Sequence, residues 1–82
     1  MRSLLSRILH GPGTYADIEV VYRHRGVPND ELTIKVSTIS RLGRGWFMLA
    51  DRETQIPYHR VLTVKNSRSG EILWKKRQPD QN

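Results

Sequence analysis

Gln55-Ile56-Pro57-Tyr58-His59-Arg60-Val61-Leu62 is the stretch on which the reading of this chain turns. Pro57 fixes its own φ and pushes Ile56 towards extended backbone, so the segment before Tyr58 is a strand end or a bend and not the middle of a helix. Beyond the bend, Val61-Leu62-Thr63-Val64-Lys65 and Glu71-Ile72-Leu73-Trp74-Lys75-Lys76 flank Asn66-Ser67-Arg68-Ser69-Gly70. They read as an antiparallel hairpin, with Gly70 able to take the positive-φ position of its turn. The bend itself carries a phenol that can stack, an imidazole that donates, accepts or titrates, and a guanidinium that grips phosphate in a planar fork. The plainer reading makes Tyr58 and His59 half-buried packing residues and Arg60 a surface charge.

Working outward from the bend, Asp17 to Arg25 alternates as a strand, with Ile18, Val20, Tyr22 and His24 on the core-facing side and Glu19, Val21, Arg23 and Arg25 on the other. A loop follows at Gly26-Val27-Pro28-Asn29-Asp30. Glu31 to Val36 alternates as a short half-exposed strand, Ser37 to Ser40 reads as a helical turn or loop, and the glycines of Leu42-Gly43-Arg44-Gly45 permit a tight turn before the apolar strand Trp46 to Ala50. Asp51 to Thr54 is a solvated loop. Leu4, Leu5, Ile8 and Leu9 suit one face of a short N-terminal helix docked on the domain. Arg and Ser without an acid give the same stretch a weak likeness to a transit peptide. Gly11, Pro12 and Gly13 end that helix, leaving His10 in its last turn as a cap. The sum is an α+β chain in which one N-terminal helix packs on a strongly bent antiparallel sheet, or small open barrel, of about five strands. Residues 1–77 form a single domain and 78–82 a polar tail.

Composition limits what such a domain can do. With 82 residues it is expected to bury only about 60% of its unfolded surface, too little for a second lobe closing over a deep cleft. The absence of cysteine excludes disulfides and thiolate chemistry and fits a reducing cytoplasm. No apolar run approaches the roughly 20 residues of a membrane span, so no membrane partner is expected. The net charge is +6, and it is unevenly placed: residues 57–82 hold six basic and two acidic side chains, whereas residues 30–56 hold four of each. The excess begins at the Tyr-His-Arg bend, where a polyanion would be drawn.

Several chemistries lack their minimum parts. The chain has no Walker loop, no G-x-G-x-x-G after a strand and no H-E-x-x-H. Its three histidines stand in separate elements without paired spacing, so neither a metal site nor a cofactor is expected. What remains is a doubling: Tyr22-Arg23-His24-Arg25-Gly26 at one strand end and Tyr58-His59-Arg60 at the bend. Brought together, they would form a pocket of imidazoles, guanidiniums and phenols. Two histidines with a cationic clamp are the minimal kit for RNA phosphodiester chemistry, one as base and one as acid. Without activated geometry, the same kit holds a terminal phosphate through charge-assisted hydrogen bonds. The two-histidine phosphoesterases place Thr or Ser two residues after each catalytic histidine; Gly26 and Val61 stand there instead, so that mechanism is not supported.

The pattern Leu5 to Leu9, Ile18-Glu19-Val20-Val21-Tyr22 with His24-Arg25-Gly26, Ile56-Pro57 with His59-Arg60-Val61, and Gly70-Glu71-Ile72-Leu73-Trp74-Lys75 resembles a small, mostly archaeal family whose domain is proposed to recognise cyclic phosphate ends of RNA. The likeness runs from about Leu4 to Lys76, with departures at the turn between Leu42 and Trp46 and at Asp51 to Gln55. It implies a stand-alone cytoplasmic domain whose relatives in larger proteins are joined to RNA-processing phosphoesterases, so RNA and an RNA-processing enzyme are the expected partners. It also implies that His24, Arg25, His59 and Arg60 form the site. On this expectation Tyr22 or Tyr58 stacks on a terminal base, while Lys65, Lys75, Lys76 and Arg77 add salt-sensitive attraction to the RNA backbone. The rival expectation is a phosphodiesterase or ring-opening enzyme using His24 and His59. The sequence leaves the oligomeric state open between a monomer and a weak dimer.

Overall fold

The computed structural model describes residues 1–11 and 15–76. Pro12 and Gly13, to which the end of the first helix is partly assigned, lie outside the described residues, as do Arg77 and the polar tail. The helix α1 runs over Arg2–His10 and is followed by β1 (Ile18–Arg23), β2 (Glu31–Lys35), β3 (Ile39–Leu42), β4 (Trp46–Leu49), β5 (Gln55–Pro57), β6 (Val61–Asn66) and β7 (Ile72–Lys75). The α+β class holds, but the sheet differs from expectation. Among the described residues, seven strands form two antiparallel sheets, a four-stranded one ordered β2-β1-β6-β7 and a three-stranded one ordered β3-β4-β5, and no barrel closes.

The reason for two sheets lies in two single-turn 3-10 segments, Val36–Thr38 and Tyr58–Arg60. A 3-10 turn takes its residues out of the extended conformation, so no ladder passes through it. The chain leaves the four-stranded sheet at the first turn and returns to it at the second. Strand β3 was not expected from sequence, because Ser40 and Arg41 interrupt any apolar alternation. Its backbone pairs with β4 nonetheless, and the Ser40 hydroxyl donates to the Met48 and Leu49 carbonyl oxygens at 3.2 and 2.9 Å.

The core fills the space between the sheets and the helix. Leu5, Val20, Val36, Phe47, Val61 and Val64 are fully buried, and α1 packs on β3 and the Val36–Thr38 turn through Leu5. Burying a side chain of this size contributes roughly 1.5–3 kcal/mol. The parity read for β1 is kept for Ile18, Val20 and Tyr22, which belong to the core. His24, read on the same core-facing side, lies past the strand end and is exposed, and Val21, read on the other side, is buried. Two glycines shape the turns. Gly70 takes φ +81° in the β6–β7 hairpin, where an L side chain is strained. At Gly43, a Cβ would stand 2.7 Å from the Trp46 indole, so only glycine lets that ring fold over the β3–β4 turn.

A cationic cleft at the sheet-switch turn

Pro57 ends β5 at φ −62° and ψ 140°, and Tyr58–Arg60 form the single turn by which the chain passes into β6. That turn is fastened at several points. The Tyr58 amide donates to the Gly45 carbonyl oxygen at 3.1 Å, and its phenol donates to the Gly43 carbonyl oxygen at 2.8 Å. The Tyr58 ring packs on Phe47 with centroids 5.8 Å apart. From the far end of β7, the Lys76 ammonium donates to the His59 carbonyl oxygen, and the Lys76 amide donates to the Leu62 carbonyl oxygen at 2.8 Å. With Tyr58 anchored inward, His59 and Arg60 are left exposed.

Strand β1 supplies the opposing wall. Its pairing with β6 shifts between Val21↔Thr63 and Tyr22↔Val61, leaving Leu62 as an extra residue in β6. Such a bulge bends its strand and re-aims the neighbouring side chains. Beside it opens a cleft of about 300 Å³ lined by Arg23, Arg25, His59, Arg60, Leu62 and Lys76. Three guanidiniums, an ammonium and an imidazole face one another there without a carboxylate among the lining residues. Crowding like charges is unfavourable, and an anion entering the cleft relieves it. Planar guanidinium forks suit the oxygens of a phosphate, and Leu62 adds an apolar surface for a non-polar part of the same ligand.

The structure thus brings Arg25, His59, Arg60 and Lys76 together, and it treats the other candidates differently. His24 does not line this cleft. It lies just past the end of β1 on the opposite parity from Arg23 and Arg25, with its ring edge-on to Tyr22 at 6.3 Å and its amide donating to the Asp30 carbonyl oxygen at 2.8 Å. Tyr22 is 5% exposed, so no base can stack on its face, and burial raises its phenol pKa above 10.0. Burial likewise raises Tyr58, with Arg2 pulling weakly the other way, and its ring is engaged with Phe47 and Gly43. Neither tyrosine is therefore a free stacking platform. Lys75 lines an adjoining depression of about 430 Å³ that shares Arg23, Arg25, Leu62 and Lys76 with the cleft. Lys65 stands further along β6, opposite Glu19.

Sequence reading held Arg23 only within the stretch from Tyr22 to Gly26, without assigning it to the site, and missed Leu62. The signal for Arg23 was present, because its alternation with Arg25 already put the two on one face of the strand. Leu62 had none, since the bulge depends on how β1 and β6 meet.

A small α+β domain carrying an acid-free cluster of guanidinium, ammonium and imidazole groups has the equipment of an anion-binding module. The model of the MJ1316 RNA cyclic group end recognition domain matches residues 1–76, and the chain belongs to that family. Its similarity to UPF0248 proteins is 38% identity over 77 residues for the one from Methanococcus vannielii, covering 93% of this chain and 90% of the relative. The UPF0248 protein of Thermococcus gammatolerans is 38% identical over 82 residues, covering 99% and 94%. UPF0248 protein MJ1316 of Methanocaldococcus jannaschii is 33% identical over 78 residues, covering 94% of each. No solved structure matches the chain. Among the described residues, no helix is long and apolar enough to cross a membrane.

Proposed function

We propose that this chain is an RNA-binding module that captures the cyclic or terminal phosphate of a processed RNA in the cleft between the end of β1 and the Tyr58–Arg60 turn. The observation that carries the reading is the convergence of Arg25, His59 and Arg60 with Arg23 and Lys76 in one acid-free cleft, and the name of the matching domain supports it. Arg25 and Arg60 hold phosphate oxygens through paired N–H groups, and the His59 ring donates a further hydrogen bond. Leu62 lies against the ribose. Lys76 steadies the turn through the His59 carbonyl while adding to the local field. The ring-opening alternative needs both imidazoles at one phosphate; with only His59 lining the cleft, binding is the reading carried forward.

The test is fluorescence anisotropy of one short RNA carrying in turn a 2′,3′-cyclic phosphate, a 3′-phosphate and a free 3′-hydroxyl, at low and high salt. A preference for a phosphorylated end that persists at high salt is the expected result, because contacts made by fixed geometry outlast diffuse attraction. Equal binding of all three that salt abolishes would reduce the cleft to a basic patch.

A further inference from the structure

Resting on that reading of the cleft, we infer that the solvent face of the β6–β7 hairpin is the track along which the nucleotides preceding the bound terminus lie. The RNA leaves the cleft over Thr63 and Lys75 and runs on towards Lys65 and Ile72.

Register builds this track. Antiparallel partners share a face of the sheet. Thr63 is opposite Val21 on one side and Lys75 on the other, and Lys65 is opposite Glu19 on one side and Ile72 on the other. These residues lie on the face away from the buried Val20 and Val64. The depression lined by Thr63, Lys75 and Lys76 shares four residues with the cleft, so the two adjoin. From the level of Arg25 to that of Lys65, the track is about 20 Å long at the usual rise of a strand.

Charge selects the route. The β2 side of the depression is lined by Asp30 and Glu31, and Glu19 stands between Lys35 and Lys65. A phosphate chain is repelled there and accepted over β6 and β7, where Lys65, Lys75 and Lys76 stand in sequence. Ile72, an exposed large apolar side chain at 54%, sits beside Lys65 and offers contact to a ribose or base. The cleft fixes the terminus and the track fixes the direction, so binding has a polarity as well as an end preference.

The experiment titrates the full chain with RNAs from a mononucleotide to an octanucleotide, each with a 3′-phosphate and with a free 3′-hydroxyl, following amide shifts by NMR so that weak binding is still read. Affinity should rise over the first few nucleotides and then level off. Lys65→Ala and Lys75→Ala should each reduce that rise by up to about fivefold and lower the salt slope by about one, leaving the mononucleotide affinity unchanged. Lys35→Ala, beyond Glu19, should change neither. An octanucleotide that binds no better than the mononucleotide overturns the track while leaving the cleft intact, and so does an equal loss from Lys35→Ala and Lys65→Ala. If the 3′-phosphate makes no difference at any length, the reading of the cleft fails and this inference falls with it.

Discussion

The ammonium of Lys76 donates to the carbonyl oxygen of His59, 17 residues earlier in the chain. The last described residue of the fold thereby holds the turn that presents the imidazole. Lys76 is thus more than a contributor of charge, which is the role the sequence assigned it. Lys76→Ala should loosen the Tyr58–Arg60 turn, with faster hydrogen exchange at the Val61 amide, whose partner is the Tyr58 carbonyl oxygen. It should also lower affinity for phosphorylated ends more than for a free 3′-hydroxyl. Uniform weakening of all RNAs with unchanged exchange would return Lys76 to a purely electrostatic part.

His59→Ala should weaken binding of a phosphorylated end selectively. A hydrogen bond to a charged group contributes about 1.5–3 kcal/mol, so the expected loss is roughly ten- to hundredfold. His24→Ala, outside the cleft, should leave end affinity close to wild type. Equal losses from the two, measured by anisotropy on the same RNA, would mean that the imidazoles act together after all.

Tyr58→Phe keeps the ring on Phe47 and removes only the hydrogen bond to Gly43. It should cost about 1 kcal/mol in denaturant unfolding. The larger truncation Phe47→Ala, at a fully buried position, should cost about 3–5 kcal/mol. A neutral Tyr58→Phe would show that water replaces the Gly43 contact without loss.

Alkaline conditions should destabilise the fold through the same residue. Burial raises the Tyr58 and Tyr22 phenols above 10.0, so the folded chain holds these protons more tightly than the unfolded chain does. Their contribution is complete below about pH 10 and drains away as pH climbs through the folded pKa values. Thermal melts at rising pH should show a smaller alkaline loss for Tyr58→Phe than for the wild type, and identical profiles would contradict the assignment.

Asp51 gives the opposite sign in the loop between β4 and β5. Its carboxylate accepts from the Thr54 hydroxyl at 2.6 Å, and from the Thr54 and Glu53 amides at 2.9 and 2.8 Å, and these bonds lower its pKa below 3.8. The order it gives the loop is present above 3.8 and lost as pH falls through the depressed value. The Thr54 amide resonance should therefore titrate with a midpoint below 3.8. A midpoint at or above that value would remove the carboxylate from the turn.

Much of the architecture was legible in the residues. Period-two alternation located β1 and β2, the hairpin around residues 66–70 located β6 and β7, and Gly and Pro marked the breaks at Gly43, Pro57 and Gly70. The strand β3 was hidden because Ser40 and Arg41 resemble a loop until β4 is present to accept their pairing. The helical turn or loop near Ser37 and the bend at Tyr58 were legible too, but not that these two 3-10 turns, Val36–Thr38 and Tyr58–Arg60, divide the strands into two sheets.

The candidate site was legible as a list of cations but not as a cleft. Alternation along one strand already separated His24 from Arg23 and Arg25, yet it could not tell which side would face His59. Nor could it show that Tyr22 and Tyr58 are engaged in packing and hydrogen bonding.

By itself, then, the sequence determined the helix, most strands and their breaks, the basic character of the C-terminal half and the family, because these depend on neighbouring residues and composition. Only the tertiary structure decided that Arg25 meets Arg60 while His24 stands aside. That outcome depends on the antiparallel register of β1 and β6 and on the bulge at Leu62, a pairing between segments far apart in the chain that no local pattern encodes.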